Sequence, residues 1–206
     1  YEIMPSLVGS EMCIRDSKCG DKIAINQCSM GMDAEVCAKQ SSFKKLPLVN
    51  GEMAYFLAAI EALFKKLGHN FTIKIDDNEP FEDNVLFCVA GNSRWYGGGF
   101  MAAPLAWPDD GKLDFVIVRL DRGRLRLAPL LQKYKKGQHL GLPMTKYING
   151  SRLEIHSDVP AAVNIDGECE YVNDAVFEIV PKAIKFVVPQ FSEFHKGRAE
   201  REAARK

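Results

Sequence analysis

The sequence predicts an α+β fold that is mainly β, a sandwich or flattened barrel of short strands with one long amphipathic helix and a C-terminal helix. Three observations carry this. After residue 68 short apolar segments alternate with turn signals at close intervals. One stretch, 50–68, spaces its apolar residues with the period of a helix. The tail from Ser192 to Lys206 is polar all round and rich in Arg, Lys and Glu, as a solvent-facing or partner-docking helix would be.

Length and composition bound the class. The chain has 206 residues, enough for one domain with a real core or two small ones. Apolar residues make up 47%, and 27 Lys+Arg balance 27 Asp+Glu, which fits a soluble globular domain and argues against disorder and against nucleic acid as a partner. No apolar run approaches the roughly 20 residues that span a bilayer, so membrane contact is expected to be peripheral. The six cysteines, at 13, 19, 28, 37, 88 and 169, show neither CxxC nor paired Cys/His spacing, and read as reduced thiols of a cytoplasmic protein.

Residues 1–17 open without Met and have neither the basic region nor the apolar core of a signal peptide. They resemble translated sequencing-adapter sequence and are expected to lie outside the fold, with a domain over 18–190 and a polar helix over 191–206. Lys22–Asn26 reads as a strand. Gly31 marks a bend after it, and Asp33 either caps a short helix from Ala34 or supports an active site. Between Asn50 and Gly68, Met53, Phe56, Leu57, Ile60, Leu63, Phe64 and Leu67 share one face, with Asn50 as N-cap and Gly68 as stop. From Phe71 to Asp76 the period becomes two, as in a half-buried strand. Asp76 and Asp77 read as solvated turn acids rather than metal ligands. Asp121–Arg124 turns the chain, and Leu125–Tyr134 predicts a short amphipathic helix. Its cations Lys133, Lys135 and Lys136 either form a solvated face or meet anionic headgroups, at about 1 kcal/mol per charge. Short strands then follow at 145–148, 152–156, 161–165, 175–180 and 184–188.

The central stretch Gly91–Asp114 lies between two apolar runs, Val85–Ala90 and Phe115–Val118. It holds a triple glycine at 97–99, Trp95-Tyr96, two prolines and the acidic turn Asp109-Asp110-Gly111. Connections this long without regular structure are uncommon in compact domains and are often functional. Val89-Ala90-Gly91-Asn92, Tyr96-Gly97-Gly98-Gly99, Ala103-Pro104, Ala106 and Asp109–Asp114 stand in an order that resembles the C-terminal domain of the diacylglycerol kinase family of lipid kinases. Two further matches are the strand-and-turn pattern up to Gly31 with Asp33-Ala34-Glu35-Val36, and Asp166-Gly167-Glu168.

The resemblance covers roughly Lys22 to Gln190 and implies the C-terminal β-sandwich domain of an ATP-dependent kinase. Such an enzyme transfers the γ-phosphoryl to a lipid hydroxyl such as that of diacylglycerol. By resemblance Glu168 would be the general base, with Asp166 in the metal–water network. Asp110 would bind Mg²⁺ through its side chain, and Trp107 and Lys112 through main-chain carbonyls. Gly97, Gly98, Gly99, Asn92 and Asp33 would line the cleft. Trp107 and Pro108 stand where the family commonly has aliphatic residues, which a carbonyl ligand tolerates, although Pro108 restricts the backbone before it. The family's nucleotide-binding half carries a Gly-Gly-Asp-Gly-Thr loop that has no counterpart here, and GxxxxGK[ST] and GxGxxG are absent too. The implied partners are a lipid at the membrane surface, that nucleotide-binding domain and a second copy in a homodimer, and the chain by itself would have little or no activity. The alternatives are a kinase for a sphingoid-type lipid and a non-catalytic lipid-binding or regulatory domain.

Overall fold

The computed structural model describes residues 10–43, 61, 68–97, 99–120, 127–189, 192 and 194–198. Among them one antiparallel sheet holds β1 (Ser10–Cys19), β2 (Lys22–Ala24), β3 (Gln27–Gly31), β4 (His69–Ile75), β5 (Phe81–Gly91), β6 (Leu113–Arg119), β7 (Thr145–Gly150), β8 (Arg152–Ile165) and β9 (Glu168–Val188). Helices α1 (Met32–Phe43) and α2 (Leu127–Lys135) flank it.

The strand order is β2-β1-β9-β8-β3-β5-β6-β7, with β4 paired to both β5 and β8. Strands β3 and β4 therefore stand end to end in one slot. Phe71–Ile75 of β4 pairs with Leu153–Ser157, and Cys28–Met30 of β3 pairs with Val163–Ile165 further along β8. On the other side, β5 gives Phe81–Val85 to β4 and Phe87–Gly91 to β3. The sheet curls around a core that draws Phe71, Ile73, Met30, Phe115, Leu153 and Phe177 from five strands. Burying each such side chain contributes roughly 1.5–3 kcal/mol.

A second apolar cluster lies on the opposite face. There Phe87 and Val89 of β5 and Val116 and Val118 of β6 pack against Val36 of α1, Leu130 and Tyr134 of α2, and Tyr96, Phe100 and Ala103 of the central stretch. Strand β5 is covered on both faces, which is why its sequence is a continuous apolar run instead of an alternation. Gly31 joins β3 to α1 at φ 107°, and a Cβ there would come within 2.7 Å of Leu86 O. The close approach of two backbones requires glycine.

Several expectations are corrected. The segments 152–156 and 161–165 are one strand, interrupted by a register shift that contains Pro160. Likewise 175–180 and 184–188 both lie on β9, with Pro181 and the positive-φ Lys182 between them. Proline removes a ladder donor, so it produced a bulge where the sequence suggested a strand end. Residues 10–17 do not stand outside the fold. They form most of β1, paired with β9 from Ser10↔Val188 to Cys19↔Phe177, with Asp16 and Ser17 buried. A long strand such as β9 offers a row of hydrogen-bonding groups that recruits whatever chain can extend beside it. Helix α1 begins before Ala34, at Met32, and Asp33 sits inside its first turn rather than at the cap.

The amphipathic stretch 50–68 lies outside the described residues except for helical Glu61 and Gly68, and the turn 121–124 lies outside them as well. In the tail, 194–198 are helical. Phe194 stacks on Trp107 with ring centroids 5.0 Å apart, and Arg198 pairs with Asp109 at 3.2 Å. Among the described residues no helix is long and apolar enough to cross a membrane, and Cys19, Cys28, Cys37, Cys88 and Cys169 form no disulfide.

Candidate functional site

Between β2 and β3 the chain bends through Ile25 and Asn26, where the ladder cannot satisfy the backbone. Each main-chain N–H and C=O there needs another partner. Asp166 takes the donors: its Oδ2 accepts Ile25 N–H at 2.6 Å and Asn26 N–H at 3.1 Å, and its Oδ1 accepts Gln27 N–H at 2.9 Å. Asn92 serves the acceptors, its Nδ2 donating to Ile25 O at 2.8 Å and its backbone N–H to Asn26 O at 2.9 Å. The bend is thus clamped from both sides, by the residue after Gly91 and the residue before Gly167.

Asp166 and Gly167 have φ of 49° and 102°, the pair of positive values that a two-residue hairpin turn between β8 and β9 demands. Its carboxylate accepts from three backbone N–H groups. Glu168 follows the turn as the first residue of β9, with its side chain 78% exposed and its nearest cation, Lys22 Nζ, 3.9 Å away. A carboxylate so placed can meet an incoming group.

Beside this turn opens a cavity of about 400 Å³, walled in part by Asn26, Gln27, Cys37, Tyr96, Gly97 and Asn164. Of the triple glycine, Gly97 reaches this wall, Gly98 lies outside the described residues, and Gly99 completes a closed turn. Tyr96 N–H donates to Phe100 O at 2.9 Å and Phe100 N–H to Tyr96 O at 3.0 Å, with φ of 48° at Gly97 and 94° at Gly99. Asp33 fixes that turn from below: buried, it accepts Ser29 Oγ at 2.8 Å and the hydroxyl of Tyr96. Tyr96 also shares a 3.1 Å hydrogen bond with Tyr134, whose phenol is pushed well above its usual range by burial first and by Asp33 second. Asp33 therefore supports the cavity through Tyr96 and does not line it.

The second acidic turn differs. Asp110 Oδ1 accepts Lys112 N–H at 3.1 Å, within its own loop, and Asp110 N–H reaches Trp107 O at a long 3.4 Å. Among the described residues no cluster of three or more His, Cys, Asp or Glu side chains is arranged to hold a metal. A cation here would rest on one carboxylate and main-chain oxygens, a hard donor set that suits Mg²⁺. The residues fit the ion in kind.

Sheet register relates the two turns. Asp114, just after the Asp110 turn, pairs with Gly91, Gly91 pairs with Gln27, and Gln27 O accepts Asp166 N–H at 3.2 Å. Both turns lie at one end of the sheet with β5 and β3 between them. The sequence reading did not count Asn26, Gln27, Tyr96 and Asn164 among the site residues, although Asn26 and Tyr96 stand in the motifs that carry the resemblance. A signal existed for Asn164 and Gln27, each a carboxamide beside apolar strand residues. Asp114 was missed too: fully buried, it accepts from Tyr147 Oη and, at 3.2 Å, from Asn149 Nδ2.

Residues 26–188 match the family described as the YegS C-terminal NAD kinase beta sandwich-like domain. The chain belongs to this family. The matched span starts at the clamped bend and takes in Asn92, both acidic turns and Glu168. Among curated relatives, a diacylglycerol kinase of Mycobacterium tuberculosis is 28% identical over 142 residues, which is 68% of this chain and 45% of that protein. A probable YegS-like lipid kinase of Shewanella frigidimarina is 29% identical over 167 residues, covering 80% of this chain and 52% of the relative. The chain spans about half the length of these proteins. Among solved structures, a putative diacylglycerol kinase from Bacillus anthracis superposes with a TM-score of 0.61 at 18% identity, covering 86% of this chain and 58% of the other. That likeness concerns the fold alone.

Proposed function

We propose that this domain is the lipid-site half of an ATP-dependent kinase that transfers the γ-phosphoryl group to a lipid hydroxyl, such as that of diacylglycerol. The observation that carries the reading is the Asp166-Gly167-Glu168 hairpin, which leaves the Glu168 carboxylate exposed beside a turn whose Asp166 and Gly167 line a cavity. Phosphoryl transfer demands little covalent chemistry of a protein beyond alignment and a carboxylate to accept the hydroxyl proton. Glu168 takes that proton at its carboxylate. Asp166 is a positioning residue: by holding Ile25, Asn26 and Gln27 it sets the wall against which the lipid head lies. Asp110, with the carbonyls of Trp107 and Lys112, would hold Mg²⁺, which supplies charge neutralisation near phosphate. ATP would be bound mainly by a nucleotide-binding domain outside this chain, so the 206-residue chain alone is expected to show little or no turnover. The protein would act in the cytoplasm, at the membrane surface.

The test is phosphoryl transfer by the full-length gene product against a panel of neutral and sphingoid lipids. Glu168→Gln is expected to lower kcat by roughly 10²–10⁴ with the fold unchanged by circular dichroism. Transfer to no lipid, or an unimpaired Glu168→Gln enzyme, would overturn the reading.

A further inference from the structure

We infer that Gln27 is a specificity-determining residue of the cavity beside Asp166, and that this cavity takes an uncharged, hydroxyl- and ester-bearing lipid head in preference to an amine-bearing one. The inference rests on the proposed lipid site and names the chemistry that site selects. Gln27 is 2% exposed, and neither Oε1 nor Nε2 finds a hydrogen-bond partner among the described residues. An orphaned buried carboxamide is costly and rare in folded proteins, and asks for a ligand or a bound water. Its place is specific. Cys28 and Met30 point into the core of the curled sheet, so the alternation of β3 turns Gln27 and Ser29 to the opposite face, where α1 and the cavity lie. The backbone of Gln27 is pinned on both sides, its N–H by Asp166 and its carbonyl by Asp166 N–H. With the backbone held, any adjustment to a ligand falls to the side chain of Gln27, a residue of the cavity wall.

The chemistry of the walls selects the ligand. A carboxamide offers a donor and an acceptor at once, which suits a hydroxyl beside an ester carbonyl. Asn164, also buried, has its Oδ1 fixed by Gly167 N–H at 2.7 Å and adds a second amide to the wall. Among the described residues no Lys, Arg or His lines this cavity, so nothing there favours a phosphate or carboxylate head. The one carboxylate in the wall, Asp166, is already hydrogen-bonded to three backbone N–H groups and is poorly placed to pair with an ammonium. A site that holds an unpaired buried amide discriminates strongly against ligands that leave it unpaired.

The experiment is calorimetric titration of the 206-residue chain with dioctanoylglycerol and, separately, with sphingosine, using wild type, Gln27→Leu and Gln27→Glu. Wild type is expected to bind dioctanoylglycerol more tightly than sphingosine, and Gln27→Leu to weaken dioctanoylglycerol binding about tenfold. Without ligand, Gln27→Leu is expected to melt at or above the wild-type temperature, because it removes an unsatisfied buried group. Gln27→Glu, the same shape with a charge, is expected to move the preference toward sphingosine, and it decides the matter if Gln27→Leu does not fold. Equal binding of dioctanoylglycerol by Gln27→Leu would mean that the amide holds only a water, and would overturn the inference. So would tighter binding of sphingosine by wild type, or no binding of dioctanoylglycerol. Failure here with phosphoryl transfer intact in the full-length protein sinks the specificity alone, whereas Gln27-dependent binding without transfer sinks the kinase reading alone.

Discussion

Asp166-Gly167 and Asp110-Gly111 are the same dipeptide at the same end of one sheet, yet they do different work. Asp166 sits between two paired strands and reaches across to a neighbouring bend, where three backbone donors converge on it. Asp110 sits in a loop and accepts a donor from its own turn. Asp76 shows that the first behaviour is not confined to the site: at φ 49° its Oδ1 accepts Ser151 N–H at 2.9 Å and Arg152 N–H at 2.8 Å. An acidic turn becomes structural when its neighbours present unpaired N–H groups.

The comparison is broken most severely at Asp166. Replacing it with Ala removes a charged acceptor from three N–H groups and is expected to cost about 2 kcal/mol in urea denaturation, water compensating in part at this exposed bend. Asn92→Ala in the same experiment sharpens the point. Because both residues clamp Ile25 and Asn26, the double variant should lose measurably less than the sum of the single variants.

A smaller effect tests the anchoring of the Asp110 loop. His139 is fully buried, with Nε2 within 3.0 Å of Ala102 O, and burial holds its imidazole below the usual histidine value of about 6.5. The unfolded chain then binds a proton that the folded chain refuses. The stabilisation is complete above the unfolded value and is lost as pH falls below it toward the folded one. His139→Gln, which keeps a donor for Ala102 O, should flatten that part of the stability–pH curve. An unchanged slope would refute this role.

The smallest effect is expected at Asp110 itself. Asp110→Asn keeps the side chain's shape and an acceptor oxygen for Lys112 N–H, and should change stability by less than about 0.5 kcal/mol. Added Mg²⁺ should raise the melting temperature of wild type and not of the variant. A large loss in metal-free buffer would show that the two acidic turns are alike after all.

Much of the framework was legible in the chain. Period-two segments located β4 and β7–β9, and unbroken apolar runs located β5 and β6. The positions of Gly31 and of the Asp166-Gly167 turn were legible as well, because positive φ and close backbone approach leave few residues to choose from. The lengths of β8 and β9 were not, since Pro160 and Pro181 are equally compatible with a strand end and with a bulge, and only the partner strands distinguish the two.

Propensity and periodicity are local, and they determined which segments extend, which coil and which residues face a core. The fate of a polar side chain is not local. Asp166 lies 140 residues from Asn26, whose N–H it accepts, and Asn92 lies 67 residues from Ile25, whose carbonyl it serves. Only the closed sheet brings those groups within hydrogen-bonding distance. The tertiary structure thereby decided that Asp166 clamps the bend at 25–27, that Glu168 is left exposed, and that Gln27 stands buried and unpaired.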